Sequence, residues 1–89
     1  MATFLARIDV MLKPVVNDPQ GLAVADGLHN LGFAGVRAVR VGKRIEVTLE
    51  ATDAAAAEAA VRRMCERLLA NPVIEDFALA VTETASAEA

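Results

Sequence analysis

From Phe4 to Leu12 the chain alternates. Phe4, Ala6, Ile8, Val10 and Leu12 fall on one side, and Leu5, Arg7, Asp9 and Met11 on the other. A period of two predicts a half-buried strand. Leu5 and Met11 are apolar for a face that meets only water, which points to a partner there. Lys13 to Asn17 reads as a loop, because Pro14 cannot donate to a ladder. The period then changes to that of a helix. Asp18 suits an N-cap, Pro19 the first helical position, and Val24, Leu28 and Leu31 come after at helical spacing until Gly32 stops them.

Val36 to Val41 and Arg44 to Glu50 read as two strands joined by Gly42 and Lys43, a Gly-first turn suited to a type II′ hairpin. In the second, Ile45, Val47 and Leu49 alternate with Arg44, Glu46, Thr48 and Glu50. Asp53 caps a second helix with Ala57, Val61, Met64 and Leu68 as its apolar stripe, closed by Asn71 and Pro72. Glu58 and Arg62, four apart, support that helix. A last strand runs from Val73 to Val81, with Val73, Phe77, Leu79 and Val81 on one side and Glu75 interrupting it. The order βαββαβ predicts an α+β, ferredoxin-like two-layer sandwich: a four-stranded antiparallel sheet with both helices on one face. Residues 1–82 form one domain, and 83–89 read as a flexible tail. The uncovered sheet face leads to the expectation of a homodimer.

Composition narrows this. Eighty-nine residues suffice for a single core. Although 55% of the residues are hydrophobic, no uncharged stretch approaches the ~20 residues of a spanning helix. Arg7 and Asp9 break the first apolar run, so no signal peptide is legible and the expected location is cytoplasmic. No membrane partner is expected. One cysteine, Cys65, and one histidine, His29, cannot build an internal disulfide or a protein-only zinc site. The net charge of −3 argues against nucleic acid as a partner. The basic run Arg37, Arg40, Lys43 and Arg44 reads instead as a solvated or partner-facing hairpin.

Candidate chemistry is sparse. His29 has no cysteine or second histidine to pair with, and Cys65 beside the Met64 stripe reads as a buried thiol. Glu75 and Asp76, adjacent in a strand, point to opposite faces and cannot act as an acid/base pair. No phosphate-binding glycine loop is present; Gly21 near a helix start is a weak anion signal. Ferredoxin-type cysteines are absent, and on the central strands, where an RNA-recognition sheet needs exposed aromatics, Phe4 is the only candidate.

Two resemblances bear on function. Asp18 to Leu22, DPQGL, loosely resembles the ligand turn of amino-acid-binding ACT domains, with its glycine one place later than in that pattern. A second resemblance covers residues 4 to 81. DPQG at Asp18 to Gly21, LHNLGF at Leu28 to Phe33, VRVGKRIEV at Val39 to Val47 and MCERLLANPVIEDF at Met64 to Phe77 together resemble the PurS family. PurS is the small subunit of the three-component formylglycinamidine ribonucleotide synthase of purine biosynthesis. The resemblance implies a paired, non-catalytic subunit, a homodimer or a tetramer, bridging a PurQ glutaminase that releases ammonia and a PurL synthetase that uses ATP. It implies no catalytic residue and no cofactor on this chain, with ATP and magnesium used by the synthetase. Asp18, Pro19, Gly21, Gly32, Gly42, Asn71 and Pro72 are accounted for as fold punctuation. Gln20, Arg40, Lys43, Glu75 and Asp76 are not, and stand as candidate partner contacts.

Overall fold

The computed structural model describes residues 1–84. Its elements are β1 (Ala2–Leu12), α1 (Pro19–Asn30), β2 (Gly42–Ala51), α2 (Ala54–Met64) running into a π-helical turn (Cys65–Leu69), and β3 (Glu75–Glu83). β1 lies at the centre of a three-stranded sheet of order β2-β1-β3, antiparallel throughout. Its alternation is realised as expected, with Phe4, Ala6, Ile8 and Val10 buried. Ala6, Ile8 and Val10 pack with Val61, Cys65 and Ala70, while Phe4 packs with Ala51 and Ala57 in a second cluster. Each fully buried Phe, Ile or Val side chain contributes roughly 1.5–3 kcal/mol by leaving water.

The fourth strand is absent among the described residues. Residues 36–41 pair with no strand, and β2 begins at Gly42, opposite Met11. At both ends of this stretch a backbone group is bonded away from any strand. The Val36 carbonyl accepts from His29 Nε2 at 2.8 Å, and the Val41 amide donates to the Asp18 carboxylate at 2.9 Å. Gly42 is therefore no turn residue. It is needed because a Cβ there would run into Met11 Sδ and the Val10 carbonyl oxygen.

The expectation of two helices on one face also needs correction. Only α2 packs on the sheet; α1 has at most marginal contact with any other element. α1 starts as expected at Asp18 and Pro19, and Gly32 lies just past its end with φ of 101°, a conformation glycine adopts without penalty. Yet Val24 and Leu31, read as core, are exposed. Residues 18–41 thus form an arm beside the sheet. The radius of gyration is 16.9 Å, against about 12 Å for a compact domain of this length.

On α2 the stripe departs from its expected course at the π-helical turn, which adds a residue to one turn and so rotates the positions beyond it about the helix axis. Cys65 and Ala70 face the core, and Leu68, read as core, is 83% exposed. Val73, read as the start of the last strand, is exposed in a turn that Asn71 builds. The Asn71 carbonyl accepts from the Glu75 amide at 2.7 Å, and its side-chain oxygen from the Val73 amide at 3.0 Å. Glu83, assigned to the tail, closes β3, and Thr84 bonds back to Thr3. The rest of the expected tail, 85–89, lies outside the described residues.

Candidate partner-contact site

The site is built at the end of the sheet where β1 finishes and both β2 and β3 begin: Met11 pairs with Gly42, and Leu12 with Glu75. The arm leaves and returns there. Asp18 joins its two ends, one carboxylate oxygen accepting from the Gly21 amide and the other from the Val41 amide, each at 2.9 Å. The Val41 and Gly21 amides, in that order, hold the Asp18 carboxyl below its ordinary value; burial opposes them and the Arg40 guanidinium adds to them. Gly21 is buried because the chain crosses itself here. A Cβ at Gly21 would overlap the Val39 carbonyl oxygen and crowd the Asp18 carboxylate. This crossing, where the chain leaves at Asp18 and returns at Val41, is the neck of the arm, and Arg40 braces it by donating to the Leu12 carbonyl.

All five candidate contacts gather at this end. Gln20, Lys43 and Glu75 line a cleft of about 190 Å³ with Val10, Leu12, Val41 and Gly42. Arg40 reaches the Leu12 carbonyl on its rim. Asp76 lies on the opposite sheet face, as adjacency to Glu75 requires, and pairs with Lys13 at 2.8 Å. Glu75 is partly engaged by its own turn, its carboxylate accepting from the Asn71 amide at 2.7 Å. Gln20 and Lys43 are exposed. A cleft with a lysine, a carboxylate and an amide can make directed polar contacts with a protein surface, and such contacts orient partners more than they hold them.

The basic run divides. Arg44 faces Asp9 across the β1–β2 pair at 3.8 Å, beside Arg7 and Glu46 at 4.0 Å, so the uncovered sheet face is laced with weak ion pairs. On that face Leu5 and Met11 are half-buried rather than open. The apolar surface without cover lies elsewhere: Leu22, Val24, Leu31 and Phe33 on the arm, and Leu68 and Val73 after α2. The helical stripe of the sequence does not single out Leu22 or Phe33. The signal that finds them is apolarity off the α1 stripe, at Leu22 and just past Gly32.

His29 serves the arm, tying the end of α1 to the returning chain. Cys65 is fully buried, and burial pushes its thiol pKa up, the reverse of a reactive thiolate. Among the described residues no group of three or more His, Cys, Asp or Glu could hold a metal ion. Nor is any helix there long and apolar enough to cross a membrane.

Comparison with known proteins is consistent along the whole fold. The family model of PurS, phosphoribosylformylglycinamidine (FGAM) synthase, matches residues 5–83. The phosphoribosylformylglycinamidine synthase subunit PurS of Synechocystis is 50% identical over 80 residues, which are 90% of this chain and 80% of that protein. The structure of Bacillus subtilis PurS superposes with a TM-score of 0.81 at 44% identity, covering 90% of this chain and 99% of that one. A chain in the structure of PurLQS from Thermotoga maritima does so with a TM-score of 0.81 at 34% identity, covering 94% and 100%. The match covers at least 80% of each of these relatives, and this chain belongs to the PurS family.

Proposed function

We propose that this chain is the small, non-catalytic subunit of a phosphoribosylformylglycinamidine synthase in purine biosynthesis, joining the glutaminase and synthetase subunits so that ammonia passes between them. The observation that carries this reading is the arm of residues 18–41. It exposes Leu22, Val24, Leu31 and Phe33 while its helix gains almost no cover from its own chain, which is the signature of surface meant for another protein. A chain of the same fold occurs in the Thermotoga PurLQS structure, which supports membership of such a complex. The partners are the PurL synthetase, the PurQ glutaminase and a second copy of this chain, all in the cytoplasm. The chain holds no cofactor; ATP and magnesium belong to the synthetase. Holding two active sites in register accelerates the combined reaction and keeps ammonia from bulk water.

The test is reconstitution of the three subunits with either glutamine or free ammonia as nitrogen source. Omitting this chain should abolish the glutamine-driven rate and spare the ammonia-driven one. Equal loss of both rates would mean that the chain acts on the synthetase itself, and no loss of either would remove it from the assembly.

A further inference from the structure

The arm is tied to itself more firmly than to the sheet. At its base the two ends are joined, Asp18 to the Val41 amide across 23 positions and Gly21 against the Val39 carbonyl. At its far end His29 holds the Val36 carbonyl, and the Phe33 amide donates to the Leu28 carbonyl at 3.0 Å. Residues 18–41 are thus closed into one body. Toward the sheet the ties are few. No residue from Leu22 to Val41 is buried, and α1 has at most marginal contact with any other element. The chain crosses between the two bodies twice, through residues 14–17 and at Val41 to Gly42. Lys13 already belongs to the sheet, its amide bonded to the Ile74 carbonyl and its ammonium to Asp76.

A body held at two points can still rotate about the line that joins them. Room for rotation exists, because the cleft of about 190 Å³ separates Gln20 and Val41 of the arm from Val10, Leu12, Lys43 and Glu75 of the sheet. Among the described residues, the hydrogen bond that runs from arm to sheet as a third tie is the one from the Arg40 guanidinium to the Leu12 carbonyl. We propose that the neck is a hinge and Arg40 its latch, a positioning residue that fixes the angle between arm and sheet. A charged donor makes a stronger bond than a neutral one, and a planar guanidinium loses less freedom in making it than an ammonium does. The latch lies within one chain and works whether or not anything covers the arm.

The test reads that angle in the free chain. Donor and acceptor dyes are attached through azide side chains at Asp26 on α1 and Glu50 on β2, both exposed. A control pair at Glu50 and Ala78 spans the sheet alone. Energy transfer is followed through donor lifetimes at nanomolar protein, where chains are apart. Nanoseconds are short against hinge motions, so the decay records the spread of arm-to-sheet distances. Wild type should give one narrow distribution. Arg40→Met keeps the aliphatic stem and loses the donor, and its spread should be at least about twice that of wild type, as when a neck residue or two regains its backbone freedom. Arg40→Lys, which keeps a charged donor, should restore most of the narrowness, and the control pair should read the same in all three. An Arg40→Met distribution as narrow as that of wild type would overturn the proposal, as would a wild-type distribution already as broad. A control pair that changes in Arg40→Met would overturn it too, since Arg40 would then support the fold and not the angle.

Discussion

The sheet with α2 and the arm of residues 18–41 carry the same kind of sequence signal and resolve it differently. Both pair an aspartate N-cap with an amphipathic helix: Asp53 takes the Ala56 amide at 2.7 Å as Asp18 takes that of Gly21. On α2 and its π-helical extension the apolar positions Ala57, Val61 and Cys65 are wholly buried against β1 and its neighbours. On α1 only Gly21 is buried, while Leu22 is 58% exposed and Leu31, at its C-cap, 75%. Periodicity says which residues must leave water. It does not say whether their own chain or another covers them.

The sharpest way to break this contrast is to truncate one side chain in each region. Ile8 is fully buried under α2, so Ile8→Ala should cost about 2–5 kcal/mol through lost transfer energy and the cavity left behind. That is a large share of the stability of a chain this size. Chemical denaturation should show the midpoint falling with little change in slope. A loss under about 1 kcal/mol would mean the site collapses, and that the β1 core is less close-packed than its burial implies.

Phe33→Ser in the arm should do far less to the folded monomer, within about 0.5 kcal/mol, because Phe33 is more than half exposed. The measurement belongs at protein concentrations low enough to suppress association, since anything binding the native state adds apparent stability. Raising the concentration sharpens it. Wild-type midpoints should climb while those of the variant stay put, and a variant that climbs equally would show Phe33 lies outside any interface between copies. Leu68→Ser, just after α2, should be as mild as Phe33→Ser in dilute protein, because the π-helical turn directs Leu68 outward.

The legibility of the sequence divides along the same line. β1, β2 from Arg44, both N-caps, the Gly32 stop and the Asn71–Pro72 turn can be read because each depends on neighbours within a few residues. Residues 36–41 cannot. Their alternation is strand-like, but the Val36 carbonyl goes to His29 and the Val41 amide to Asp18, and no local pattern announces a bond spanning 23 positions. Gly42 stands out in the sequence as a turn residue, whereas its place is fixed by a close approach to Met11. The stripe of α2 misleads beyond Met64 because one extra residue per turn leaves no trace in composition. For the site, Gln20, Arg40, Lys43, Glu75 and Asp76 do gather at one end of the sheet, whereas the exposed apolar arm emerges only once α1 is seen to lack cover.

The smallest effect expected is also the most local, and it comes from the charge on Asp18. Its folded pKa lies below that of a carboxyl in an unfolded chain, about 3.9, chiefly because the charged form accepts from the Val41 and Gly21 amides. A depressed carboxylate contributes stability that is fully present above the unfolded value and is lost as pH falls through the folded one. Between pH 7 and 5 the neck should therefore be indifferent to pH. Below about pH 4 the Val41 amide should begin to lose protection relative to its intrinsic exchange rate, ahead of the β1 amides, which are secured by the sheet ladder. Asp18→Asn cannot titrate, so its Val41 amide should be poorly protected at every pH, with the acid-dependent step gone. Amide exchange followed by NMR from pH 6 to pH 3 decides it, and a Val41 profile that keeps the same acid step in Asp18→Asn would mean that the Asp18 carboxylate does not secure that amide.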